Sequence, residues 1–345
     1  MSTPDRRRQR KRSFHARAER SLNTMAAEHP RCRQPLMTDR RIWRDGEFIP
    51  WQDATVHVLA QSLQRGSLAF DYISVHEARR GTAIFRLRDH IERLATTCRI
   101  VGLPLEYAVD ELVDACAETV RRNPGAKSVK ISALMPSVEA ELIPENPHVA
   151  VFIAAYDSER DFPSPNAELK RRRRQAVSLK IEREKSGRRE DVIPPHAKVA
   201  ANYTAAMTAK WRARNEGFDD IVLLDEHGNL TEGPTANLFM VDVAGNVATP
   251  PASKVLLGIT RDSIINLAPT VGLACVERDI AADELVSASE VFLSGTSAGV
   301  WPVVRIDGRP VGDGKMGPAT SQLRDKYKAV VLGDQPGFEH WLHYI

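Results

Sequence analysis

A lysine followed five residues later by a tyrosine, in the small and mostly uncharged run HAKVAANYTAAM at 196–207, is the first feature that could do chemistry. Lys198 lies at a strand or loop end, just before an Ala-rich, helix-like stretch, and faces small residues. Partial loss of hydration disfavours an ammonium, lowers its pKa and yields a free amine able to attack a carbonyl, which is what Schiff-base chemistry requires. Taken alone, Lys198 reads more simply as a helix-start lysine whose charge reaches solvent. Glu232, in LTEGPTANLF at 230–239, sits in a strand-like run with Thr235 and Asn237. Burying its carboxylate is costly without a cation or a hydrogen-bond donor, and a protonated pyridine nitrogen is such a partner. In LLGITRDSII at 256–265 a Gly-Ile-Thr turn opens a helix whose unpaired first amides could hold an anion. LSGTSAG at 293–299 is a second small, hydroxyl-rich turn. Each also has a plain structural reading: a strand-edge carboxylate, an N-cap at Thr260 and an ordinary tight turn.

The elements that must position these residues fall into two units. Over 40–58 an Asp-Gly turn joins two strand-like runs, and over 71–87 two more strands flank Arg-Gly. Apolar residues at helical spacing over 88–105 end at Gly102 and Pro104, and a second helix is expected near 108–123. Strands over 128–135 and 148–156 complete a ββ-αα-ββ unit, the small α/β domain at 38–157. A polar, Pro-bearing stretch gives an interdomain linker at 158–166. The larger domain, 167–345, mixes strands at 176–182, 219–225, 230–243, 246–250, 274–280 and 289–295 with helices at 200–217 and 260–272.

A chain of 345 residues, 42% hydrophobic and 27% charged, has length for two globular domains. No apolar run approaches the roughly 18 residues of a membrane span, and the first residues lack a secretory core. Cys32, Cys98, Cys116 and Cys275 form no CxxC pair, which points to reduced thiols in a cytoplasm and to no metal site. The net charge of +3 is uneven, since residues 1–36 hold ten Lys and Arg against three acids and leave a mildly acidic body. The segment 1–37 is expected to be a disordered Arg-rich extension, with Met37 as a second candidate start. The run Lys170 to Arg174 has no interleaved aromatics and reads as a solvated loop. Neither basic segment makes nucleic acid an expected partner.

In order and spacing, AKVAANY at 197–203, LTEGPTANLF at 230–239, LLGITRD at 256–262 and FLSGTSAG at 292–299 resemble the successive signatures of class IV (fold type IV) pyridoxal-phosphate enzymes. The strongest likeness is to the branched-chain amino acid aminotransferases. It implies an α/β fold of a small domain and a larger one with a barrel-like mixed sheet, a homodimer or higher homo-oligomer, and pyridoxal 5'-phosphate as cofactor. It implies Lys198 as the Schiff-base lysine that also moves the substrate proton, Glu232 on the pyridine nitrogen and Tyr203 on the 3'-oxygen. The phosphate would be met by the Ile259 and Thr260 amides, by Thr296, and by Arg93, which fits H-x-x-R-L in DHIERL. The implied reaction is transamination between an amino acid, most simply a branched-chain or other aliphatic L-amino acid, and a 2-oxo acid such as 2-oxoglutarate.

The first unit departs from the branched-chain pattern where substrate is selected. A His-Tyr-Gly run is replaced within AFDYISVHEA, so the pocket tyrosine is absent or supplied by Tyr72, and Phe70 and Asp71 are new. A Tyr-Ile-Arg becomes Ser128-Val129-Lys130, which exchanges a forked guanidinium for a point charge. Thr296 and Ser297 amides are candidates for the substrate carboxylate. Alternatives that stay open here are a D-amino-acid transaminase, an aminodeoxychorismate-lyase-like enzyme, and a non-catalytic binding protein with a basic tail on nucleic acid.

Overall fold

Asp45 and Gly46, both at positive φ (+46° and +97°), turn β1 (Arg41–Arg44) into β2 (Glu47–Pro50). Two left-handed positions give a hairpin turn the twist its strands need, so the Asp-Gly signal is realised. The computed structural model describes residues 39–162 and 176–345. The expected extension at 1–37, the run Lys170 to Arg174 and residues 163–166 of the expected linker lie outside the described residues. After the hairpin come α1 (Gln61–Arg65), β3 (Ala69–Ala78), β4 (Gly81–Phe85), α2 (Leu87–Ile100), α3 (Val109–Arg121), β5 (Ser128–Leu134) and β6 (Ala150–Tyr156). The second half holds β7 (Val177–Ser186), α4 (Thr204–Asn215), β8 (Asp220–Leu224), β9 (Asn237–Val241), β10 (Val247–Thr249) and α5 (Ile259–Leu267). It continues with β11 (Cys275–Glu277), α6 (Ala282–Ser287), β12 (Glu290–Gly295), β13 (Gly299–Ile306), β14 (Arg309–Pro310), α7 (Pro318–Val331) and β15 (Leu342–Tyr344).

Seven strands form an antiparallel sheet in the order β15-β4-β3-β5-β6-β1-β2. Leu87, Ile91, Leu94 and Cys98 line one face of α2 and, with residues of α3, pack on the Ile73, Val129 and Ile153 side of this sheet. The second sheet has eight strands, β11-β10-β9-β12-β13-β7-β8 with β14 beside β13, and pairs β10 with β11, β13 with β7 and β7 with β8 in parallel. The mixed sheet matches expectation, but its pairings make an open path and close no barrel among the described residues. Its two faces carry separate cores, one built with α5 and α7 around Phe239 and Phe292, the other around Leu238 and Leu293. Among the described residues no helix is long and apolar enough to cross a membrane.

Two differences from the sequence reading have physical reasons. Only Asn237–Val241 of the run expected as strand at 230–243 is a strand, because Gly233 and Pro234 break it and Glu232 is left in an isolated bridge to Asn237. No element is expected beyond Gly295, yet β13, α7 and β15 are there. Helix α7 starts where Glu290 of β12, buried, accepts the Ala319 and Thr320 amides at 3.0 and 2.8 Å. That contact depends on a residue 29 positions away and leaves no local signature.

His76 of β3 faces the second core, its ring edge-on to Phe85 at 6.4 Å. Burial pushes its imidazole down to about 4 from 6.5. Between those values the unfolded chain binds more protons than the folded one, so this contribution to stability is complete above pH 6.5 and is lost as the pH falls toward 4. His76→Gln is expected to flatten that part of a profile of melting temperature against pH. An unchanged slope would assign the acid sensitivity to other groups.

Candidate active site

Lys198 is fixed through its backbone by both neighbours of the turn it occupies. Its carbonyl accepts the Phe70 amide of β3 at 3.1 Å, and Val199 bridges Ala69. Its amide donates to Thr97 Oγ1 of α2 at 3.1 Å, and the same hydroxyl donates to the Arg93 carbonyl at 2.9 Å. The 3-10 turn Ala200–Tyr203 then brings Tyr203 Oη within 3.0 Å of Lys198 Nζ. The ammonium also lies 5.1 Å from the Phe70 ring centre and 5.6 Å from that of Tyr203, on apolar faces that attract a cation. Thr97→Val keeps the shape and strands the Lys198 amide, with an expected cost of about 1–3 kcal/mol in denaturant unfolding. Thr97→Ser is expected to restore most of it, and a Val variant as stable as the parent would exclude the clamp.

Glu232 lies behind this pair with only 4% of its surface exposed. Its oxygens accept the Leu256 amide at 3.2 Å and Asn237 Nδ2 at 3.0 Å, and Arg188 Nη1 stands 3.4 Å away. Burial pushes the Glu232 carboxyl up, and the Arg188 charge opposes that shift. The Arg188 guanidinium also stacks over the Tyr203 ring at 4.9 Å. Burial would raise the Tyr203 phenol, but the Lys198 and Arg188 charges outweigh it and bring it below its usual range.

At the other end of the cleft, Gly258 caps α5, whose first amides have no partner within the helix and point toward the cavity. A Cβ at Gly258 would come within 2.0 Å of Asn237 Oδ1, so the approach needs glycine. Arg86, at φ +49° before α2, reaches across to the Ile259 carbonyl, Asp262 and Ser263 Oγ, tying the first turn of α5 to the first sheet. Thr260 is buried and its side chain hydrogen-bonds Tyr327 of α7, whose phenol burial pushes up to about 12. The end of β12 at Ser294 and Gly295 and the turn that opens at Thr296 face it, and Ser294 Oγ is buried with no hydrogen-bond partner among the described residues.

Lys198, Tyr203, Glu232, Arg93, Ile259, Thr260 and Thr296 therefore line one cleft. Phe70 and Lys130 are not among the lining residues but lie beside them, the Phe70 ring 5.3 Å from Tyr203 and Lys130 Nζ 5.0 Å from the Phe70 ring. Partial desolvation of the Lys130 ammonium, together with the Lys198 charge, lowers its pKa, although much of the residue is exposed. Tyr72 and Ser297 do not line the cleft: the Tyr72 hydroxyl bonds Ser128 Oγ and Ser297 is exposed. Sequence reasoning missed Arg188 and Ser294. The only signal for the first is an Arg pair in a Gly-containing loop, and for the second a serine beside the glycine of an already suspect turn. An amine, a buried carboxylate, a lowered phenol, helix-start amides and an orphan hydroxyl fit a phosphorylated pyridine carbonyl compound.

Known proteins agree in kind. Residues 69–306 match the family described as Amino-transferase class IV. The branched-chain-amino-acid aminotransferase of Escherichia coli (strain K12) is 32% identical over 310 residues, covering 88% of this chain and 97% of its own. Among solved structures, the T.th. branched-chain amino acid aminotransferase complexed with N-(5'-phosphopyridoxyl)-L-glutamate has a TM-score of 0.81 and 34% identity, covering 89% of this chain and 99% of that one. The branched-chain aminotransferase from Thermoproteus uzoniensis with norvaline has a TM-score of 0.80 and 30% identity, with coverage of 89% and 99%.

Proposed function

The chain belongs to the class IV aminotransferases, and from that premise we propose that it moves the amino group of branched-chain or other aliphatic L-amino acids to a 2-oxo acid such as 2-oxoglutarate. It is a pyridoxal 5'-phosphate-dependent aminotransferase. The observation that carries the site assignment is the convergence of Lys198, Tyr203, Glu232 and the α5 N-terminus on one cleft. Norvaline in one neighbour is an aliphatic amino acid, and the glutamate adduct in another is the amino partner of 2-oxoglutarate.

When bound, the cofactor supplies a carbonyl carbon that takes the amino group and a pyridine ring that draws the electrons left at Cα. Lys198 would hold the cofactor, and its amine would serve as the acid–base group that moves the proton from substrate Cα. Tyr203, its phenol lowered by two cations, would meet the 3'-oxygen, and Glu232 would hold a proton at the ring nitrogen. The Ile259 and Thr260 amides, Thr296 and Arg93 would hold the phosphate and so orient the cofactor toward Lys198. Phe70 and Lys130 border the substrate side, with Ser297 and Tyr72 farther out. The same proposal includes small and large lobes at 38–157 and 167–345, a homodimer or higher homo-oligomer and a cytoplasmic location.

Absorbance spectra of the protein with pyridoxal 5'-phosphate test this reading. L-leucine, L-isoleucine or L-valine is expected to convert the visible band to the pyridoxamine form, and 2-oxoglutarate to restore it. A response to D-amino acids alone, or to none, would overturn the substrate assignment.

A further inference from the structure

Asp71 is a fully buried carboxylate in β3, on the side of the strand that packs against α2. Such a group survives only if paired, and it is paired four times. Oδ1 accepts the Tyr72 amide at 2.8 Å, His90 Nδ1 at 2.7 Å and Arg93 Nη2 at 2.8 Å, while Oδ2 accepts Arg93 Nε at 2.9 Å. His90 and Arg93 are three apart on α2 and so share the face turned to β3. Burial lowers the His90 imidazole, and because an ionised carboxylate only accepts, Nδ1–H is the donor to Asp71. Burial alone would raise the Asp71 carboxyl, but Arg93 and His90 together hold it well below the carboxylate range.

Arg93 is the cation expected to fork onto phosphate, yet its Nε and Nη2 edge is taken by Asp71, and Nη1 donates to the Leu257 carbonyl at 2.9 Å. A guanidinium has five N–H donors in a rigid plane, so these three bonds fix the plane and leave one N–H on Nη1 and one on Nη2, with Arg93 in the cleft lining. We propose that Asp71 is a positioning residue for the cofactor phosphate, locking the Arg93 plane so that the remaining N–H donors of a charge-neutralised pair meet the anion in a fixed orientation. This rests on the aminotransferase reading of the cleft. It makes phosphate recognition a matter of geometry, carried jointly with the α5 amides, in place of attraction by a free cation.

The test compares the dissociation constants of pyridoxamine 5'-phosphate and pyridoxamine for the full chain by equilibrium dialysis. Neither ligand forms a bond to Lys198, so the ratio of the two constants reads the phosphate contacts alone. In Asp71→Asn the amide cannot accept both guanidinium bonds, and the preference for the phosphorylated ligand is expected to fall about tenfold, an order set by one charged hydrogen bond. Arg93→Met is expected to lower the preference at least as far, and adding Asp71→Asn to Arg93→Met to change it no further. The double variant is also expected to melt higher than Arg93→Met, because it no longer buries a carboxylate without its main counter-charge. An undiminished preference in Asp71→Asn, or an equal further loss in the double variant, would overturn the proposal, and so would parallel weakening of both ligands. A parent protein that binds neither ligand would instead sink the aminotransferase reading.

Discussion

Lys198→Ala is expected to stop amino-group transfer while leaving a folded protein that still takes up pyridoxal 5'-phosphate. The side chain is half-buried and its Nζ has Tyr203 Oη as its hydrogen-bond partner, so truncation removes few contacts. The residues proposed to meet the phosphate and the ring nitrogen are carried by α5, the turn after β12, the Glu232 bridge and α2, and Lys198 touches these only through its backbone amide on Thr97, which the substitution keeps. What disappears is the amine proposed both to hold the cofactor and to move the proton between Cα and C4'. Acid–base transfer alone contributes roughly 10²–10⁴-fold, so the first half-reaction with L-leucine should slow by more than about 10³-fold. Stopped-flow absorbance of that half-reaction is the measurement. Added methylamine should recover part of the rate, because a small amine can enter the space the side chain leaves. A variant within tenfold of the parent would mean that another group moves the proton.

The parts of this site that were legible in the sequence are those whose chemistry and local structure coincide. Lys198 and Tyr203 lie on one short turn, and the Gly-Ile-Thr start of α5 announces its own amides, so spacing along the chain is enough to place them. Arg188 was not legible, since its partners Glu232 and Tyr203 are brought to it only by the fold. Asp71 could be seen as out of place in an apolar strand, but its partners, His90 and Arg93, lie a hairpin and a helix start away. Tyr72 shows the converse failure. Alternation along β3 puts it on the Phe70 face, one step of the pleat from the cleft, and there its hydroxyl finds Ser128 across the β3–β5 pair. Periodicity assigns a face of a strand, not the distance along it at which a cavity ends.

Glu232→Gln separates charge from shape at the far end of the cleft. The glutamine is nearly isosteric, and its carbonyl oxygen can still accept the Leu256 amide that Glu232 accepts at 3.2 Å. An amide can donate to an unprotonated ring nitrogen, but it cannot stabilise a proton there, so electrons leaving Cα lose their acceptor. Removal of one preorganised electrostatic partner typically costs about 10²–10³-fold, and that is the expected slowing of the L-leucine half-reaction. Burial already raises the Glu232 carboxyl, and Arg188, at 3.4 Å, is the counter-charge that favours its ionised form. The substitution therefore also leaves a buried guanidinium without its carboxylate, and a lower melting temperature should accompany the slower reaction. Both effects have the same origin but different remedies. Adding Arg188→Met should recover stability without recovering rate, because the buried charge is gone but the proton on the ring nitrogen is still unsupported. Recovery of rate in the double variant would show that Glu232 serves to neutralise Arg188 and not to hold that proton.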